Sequence, residues 1–277
     1  MVLEQVISTN WLQRRPLYAL LLGLIYTFIA TVTGYLFFKD SFSISLLFLI
    51  TLLLVPSLMN LLSIEEDREK KEGIKRFFHN HKDIFEIYLF LSIGVFIGYF
   101  VLIWFSSYLG ANFNLTVGEQ LKIIGPEITI EKIQQFDQNF FSHALNLFSK
   151  NVGIAVIFFL LSFFYGAGAI FLMVWNASTF STFVSMTISN ISKGVNHGLL
   201  LFGVFSLYII PELGGFLLAA IAGGVISKAV LVEPFLSPSF RNVVRDALFL
   251  LLCSFALLLI AAFLESYVGV SLIKSLV

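Results

Sequence analysis

The sequence predicts an all-α protein, a polytopic transmembrane helix bundle, and three observations carry that prediction. Hydrophobic residues make up 58% of the chain and charged residues only 12%, far from the balance of a soluble domain. Apolar blocks recur at about the length, roughly 17–25 residues, that a helix needs to cross hydrocarbon. Polar stretches between them hold most of the lysine and arginine, as loops at a membrane surface do. A single transmembrane domain over residues 1–277 is expected, with the lipid bilayer as its first partner.

The formal net charge is zero, so nothing electrostatic points to nucleic acid, and no such partner is expected. Cys253 is the one cysteine. It lies within an apolar block, excludes an intramolecular disulfide and reads as a small buried hydrophobe.

Arg14 and Arg15 precede a block at 17–38 that is too long for a signal-peptide core and lacks a small-residue cleavage site, so a retained first helix is expected. The second block is 44–62. The stretch "SIEEDREKKEGIKRFFHNHKD" at 63–83 carries Arg68, Lys70, Lys71, Lys75, Arg76 and Lys82 and is placed in the cytoplasm. Two passes precede it, so the N-terminus is cytoplasmic too. A third span, 85–105, leads to an extracellular segment at 106–151. There "FDQNFFSHALNLF" repeats Phe136, Phe140, Phe141, Ala144, Leu145 and Phe148 at the spacing of an amphipathic helix on the outer leaflet. Asn114, Leu115 and Thr116 form a glycosylation acceptor pattern on that side.

The fourth span, 152–175, includes "FYGAGAIF" at 164–171, whose close glycines read as helix packing or a kink. In 176–193 an apolar stripe of Phe180, Phe183, Val184, Thr187, Ile188 and Ile191 opposes a hydroxyl face of Ser178, Ser181, Thr182, Ser185, Ser189 and Ser192. That pattern fits a helix at the inner interface or against the bundle.

The run 198–232 carries "YIIPELGG" at its centre. Proline ends a helix begun before it but is welcome at the first position of the next. Lys193 and Lys228, with Arg241 and Arg245 beyond, all favour the cytoplasm. A Pro-broken helical hairpin, 198–210 and 211–232, is therefore expected, with Pro211 at its corner and Glu212 in the first turn of its second limb. There free backbone amides favour a carboxylate. The hairpin either reaches the outer surface or re-enters. Gly215, Ala219, Gly223 and Ser227, four residues apart, make a smooth face for close helix packing, and Gly94 and Gly98 repeat the theme. The last span, 247–264, ends at Glu265 and leaves the C-terminus extracellular.

Several chemistries lack their signatures. There is no phosphate-binding glycine loop with lysine and no paired histidines around a glutamate. His79 and His81 have no acid or cysteine at ligand spacing. Neither a metal, a cofactor nor a catalytic residue is expected, and the chain is not read as an enzyme. A lipid-acting enzyme would need a second polar group in hydrogen-bond reach of Glu212 or Glu265.

The segments "NVGIAVIFFLLSFFYGAGAIFLMVWNAS" at 151–178, "IIPELGGFLLAAIAGGVIS" at 209–227 and "LLLIAAFLESYVG" at 257–269 resemble the stage II sporulation protein M family of integral membrane proteins, especially its archaeal branch. The resemblance sets the family pattern on Asn151, Asn176, Glu212 and Glu265. The common form before the glutamate has a proline, a histidine and a glycine where this chain has Leu207, Tyr208 and Ile209. It implies a polytopic protein that assembles others or reshapes a membrane. The leading expectation is thus a non-enzymatic scaffold of the cell membrane, homo-oligomeric through the small-residue face, with membrane or extracellular protein partners. The alternative is a permease or the membrane subunit of an exporter with its site at Glu212.

Overall fold

The computed structural model describes residues 16–72, 77–108, 113–124, 139–235 and 237–276. They form helices throughout: α1 Leu17–Phe37, α2 Phe42–Glu72, α3 Phe77–Tyr108, α4 Phe113–Ile124, α5 Phe140–Phe164, α6 Gly166–Ile191, α7 Val195–Val232, α8 Pro238–Phe263 and α9 Val270–Leu276. A 3-10 turn at Lys39–Ser41 joins α1 to α2, and a π-helical turn at Leu264–Gly269 joins α8 to α9. Among the described residues, seven helical stretches are long and apolar enough to cross a membrane. Arg14 and Arg15 and residues 125–138 lie outside the described residues, as do the side chains of His79, His81, Asn114 and Thr116.

Glycines set how closely the helices approach, and the contacts fix their directions. A Cβ on Gly23 would sit 2.6 Å from the Leu91 carbonyl oxygen, one on Gly94 would strike the Leu20 carbonyl, and one on Gly98 would lie 2.8 Å from Thr27. Residue numbers rise together, so α1 and α3 run parallel with backbone nearly touching backbone, as small residues permit. Asn151 meets Glu212, and Gly223 abuts the Phe159 carbonyl, so α5 and α7 are parallel as well. Phe183 packs on Phe205 and Gly198 on Ile188 and Ser192, which makes α6 antiparallel to α7. Phe100 meets Phe202 while Phe85 meets Gly214, and Gly215 meets Ser254 and Leu258, so α3 and α8 also oppose α7.

These directions mean that the chain reverses between α5 and α6. The reversal occurs at one residue, Tyr165, with φ −145° and ψ 87°. The single span expected at 152–175 is therefore two helices meeting at "FYGAGAIF". The stretch beginning at Phe140 is not a helix lying flat on the outer leaflet but the first turns of α5, whose Ala144 is fully buried. Downstream, α6 is a full crossing whose hydroxyl face points into the bundle: Ser178, Ser181, Thr182 and Ser185 are all buried.

The expected hairpin at 198–232 is absent. α7 is one continuous helix of 38 residues with Pro211 inside it, about 57 Å long at 1.5 Å per residue. Pro211 removes the single hydrogen bond to the Leu207 carbonyl, and a membrane helix tolerates such a loss when neighbouring helices cover the site. Ile209, Leu213, Phe216 and Leu217 on either side of the proline are all buried, so tertiary packing holds the helix straight through. Pro56 sits inside α2 in the same way. Because α7 crosses once, Lys193 lies at the opposite end of the bundle from Arg241 and Arg245; it does not share their face, as the hairpin required. Gly194, with φ 155°, makes the turn from α6 into α7, a conformation almost confined to glycine.

Gly215, Ala219 and Gly223 are buried in the chain's own contacts, against α8 on one side and α5 on the other, with Ser227 half-buried at the end of the row. The contacts of this smooth face are internal. It offers no surface to a second copy.

Candidate functional site

Polar side chains gather about midway along α7. Glu212 is buried, and the side-chain amide of Asn151 on α5 lies beside its carboxyl group. Glu265 stands within electrostatic reach of the same carboxylate, and the Tyr208 phenol, one turn before Glu212, feels both acids. Three elements far apart in sequence thus converge: the middle of α5, the centre of α7 and the π-helical turn after α8.

Local sequence explains each placement. Asn151 sits on the face of α5 that also buries Ala144, Ala155 and Phe158, so helical periodicity turns its amide inward. Phe158 stacks on Phe216 with 5.4 Å between ring centroids, within the roughly 4.5–7 Å of aromatic pairs, and locks α5 to α7 one turn beyond Glu212. Glu265 does not end the last helix in solvent. The chain continues through the π turn, in which the Val270 amide bonds the Glu265 carbonyl, into α9. Such turns insert one residue into a helix and often mark functional positions; here the extra residue widens the turn and leaves Glu265 half-buried beside α7. Gly269 makes room for Tyr208, since a Cβ there would stand 3.0 Å from the phenol ring.

A second layer covers the cluster on the α5 side. His143 Nδ1 and the Ser266 hydroxyl are 2.9 Å apart, which ties the start of α5 to the residue after Glu265. Phe140 packs on Tyr267, and Phe141 and Tyr267 both pack on Phe263. Glu212 is thereby closed from lipid by protein.

Two buried acids whose fields reach each other repel when both are ionised, and either a proton held by one of them or a positive charge beside them relieves the repulsion. Carboxylate, amide and phenol oxygens are the donors that hard cations prefer. Among the described residues no group of three or more histidine, cysteine or acidic side chains is placed to hold a metal ion. The oxygens of this cluster are of the kind that a single cation or cationic group can use.

Of the residues singled out in the sequence, Asn151, Glu212 and Glu265 come together, while Asn176 does not. Asn176 donates to the Leu172 carbonyl of its own helix at 2.9 Å. Pro211 adjoins the cluster as part of a continuous helix. Two features escaped the sequence reading. Tyr208 entered it only as a departure from the family form, yet its phenol lies within electrostatic reach of both acids. Gln120, fully buried, joins α2 to α6: Ser43 donates to its Oε1, and its Nε2 donates to the Ser178 hydroxyl, each at 3.0 Å. It lies on α4, inside a stretch whose polarity pointed outward.

No curated protein and no solved structure matches the chain. The sequence model of the stage II sporulation protein M family matches residues 87–269, a span that contains Asn151, Tyr208, Glu212 and Glu265. The chain is an integral membrane protein and belongs to the stage II sporulation protein M family.

Proposed function

We propose that the protein is a non-enzymatic, multi-pass protein of the cell membrane that binds a cation, or the cationic group of a cargo, between Glu212 and Glu265, as a permease or the membrane subunit of an exporter. The observation that carries this reading is the convergence of two carboxylates, an amide and a phenol from three separated elements at membrane depth. Acids placed there are costly and mark ion or substrate pathways more often than structural contacts. Glu265, half-buried, is the approach to the site, and Glu212, buried against Asn151, is its inner end. The lysine and arginine of residues 63–83 put that loop and the N-terminus in the cytoplasm. On this reading the chain crosses seven times and its C-terminus is extracellular.

Family membership favours a second reading, a scaffold that recruits other proteins. The two separate in one experiment on the full chain in proteoliposomes loaded with a sodium- or proton-sensitive dye. Transport predicts a cation flux above protein-free vesicles that falls tenfold or more in Glu212→Gln and Glu265→Gln. Asn176→Leu, which touches only its own helix, leaves it unchanged. A background-level flux in the native protein, together with partners cross-linked in cells equally well by native and Glu212→Gln chains, would favour the scaffold.

A further inference from the structure

A cavity of about 1100 Å³ opens between α3, α6 and α7, at the end of the bundle away from Tyr165. It exceeds the roughly 300–1,000 Å³ typical of small-molecule pockets, and it is separate from the acid cluster. Phe96, Phe100 and Phe202 form its deep wall, with Phe100 and Phe202 edge to face at 5.4 Å. Its mouth is flanked by Trp104 and Leu199, 53% and 66% exposed.

The depth of these residues identifies what the mouth meets. Counting 1.5 Å per residue from the middle of each span, Trp104 falls about 16 Å and Ser185 about 8 Å from the midplane, against a hydrocarbon boundary roughly 15 Å out. The opening therefore faces acyl chains, with its rim at headgroup level, where tryptophan concentrates in membrane proteins. Ser189 and Asn190, both exposed, supply polar atoms at that rim.

The wall also holds an unmet demand. Ser185 is only 3% exposed, lines the cavity, and its hydroxyl has no hydrogen-bond partner among the described residues. Serines in membrane helices ordinarily bond back to the carbonyl four residues earlier, as Thr182 does to Ser178 at 2.9 Å. A buried hydroxyl left without a partner is unfavourable. An acceptor oxygen carried into the cavity would satisfy it. No charged residue lines the cavity, so nothing there selects the charge of a headgroup.

We infer that this cavity is a lipid site: it holds a glycerolipid of the surrounding bilayer, with a chain against Phe96, Phe100 and Phe202 and a glycerol-linkage oxygen, ester or ether, accepting from Ser185. The inference does not depend on the acid cluster or on transport.

The test is lipid retention. Full-length protein is stripped by repeated exchange into lipid-free mild detergent, incubated with a zwitterionic or an anionic glycerophospholipid, washed, and examined by native mass spectrometry. The native chain is expected to keep about one lipid of either headgroup class. Leu199→Trp, which fills the mouth, is expected to lower retention at least tenfold, and Ser185→Ala to lower it severalfold with an unchanged unfolding temperature. Three results would overturn the inference: no retained lipid on the native chain, retention in Ser185→Ala and Leu199→Trp equal to that of the native chain, or a second copy of the chain cross-linked through Leu199 in place of lipid.

Discussion

Valine in place of Gly223 is expected to prevent assembly of the bundle. The Cβ of any other residue at this position strikes the Phe159 carbonyl oxygen, and it stands 2.9 Å from the Ser162 side chain. The obstacle is backbone of α5, which cannot rotate away as a flexible side chain can. Relief requires α5 and α7 to separate, and their separation would pull apart Phe158 and Phe216 as well as Asn151 and Glu212. The expected loss is about 3 kcal/mol or more, the upper end of what overpacking costs. Monodisperse yield and unfolding temperature in detergent measure it. Gly203 is the internal control: it lies on the same helix with nothing within 4 Å of an added Cβ, so Gly203→Ala is expected to hold or raise stability. Similar losses in the two variants would mean that α5 and α7 do not meet closely at Gly223.

Asn151→Leu is expected to destabilise the protein by roughly 1–3 kcal/mol, because it puts an apolar side chain where an amide lies beside the buried Glu212 carboxyl group. The sign of the second step distinguishes this from a simple packing defect. Once the amide is gone, Glu212→Leu removes the group that suffers, so the double variant is expected to recover most of the loss. Unfolding of the native protein, the two single variants and the double variant in one lipid–detergent mixture gives the coupling directly. Additive losses would show that Asn151 and Glu212 act independently.

Parts of this architecture were legible in the sequence because one physical signal dominated. The first and third spans are apolar runs bounded by charge, and α1 and α3 lie where those runs do. The reversal at Tyr165 was not legible: Gly166, Ala167 and Gly168 lie inside unbroken hydrophobicity, which charge and hydropathy count as one crossing. Pro211 misled for the opposite reason. A proline inside an isolated helix in water costs about 3 kcal/mol, but at membrane depth the packing around the buried Ile209, Leu213, Phe216 and Leu217 covers the backbone it frees, and hydrocarbon offers the chain no better alternative to helix. The acids themselves stood out as charges at membrane depth. That Glu265 belongs beside Glu212 depends on the antiparallel packing of α7 and α8, and on a π turn that no local pattern announces. Gln120 was hidden because α4 reads as part of an external segment, while its inward face is set by α2 and α6.

The single crossing of α7 underlies the whole arrangement, since it carries Glu212 to the middle of the membrane and sets Tyr208 against Gly269. Labelling with a membrane-impermeant maleimide tests it directly in a Cys253→Ser background. One cysteine replaces Lys193 before α7 and another, in a separate variant, replaces Phe235 after it; both native residues are exposed. One crossing predicts that intact cells label Lys193→Cys, and that Phe235→Cys reacts only after the membrane is permeabilised. Labelling of both positions from the same side would mean that α7 turns back at Pro211, and would contradict the account.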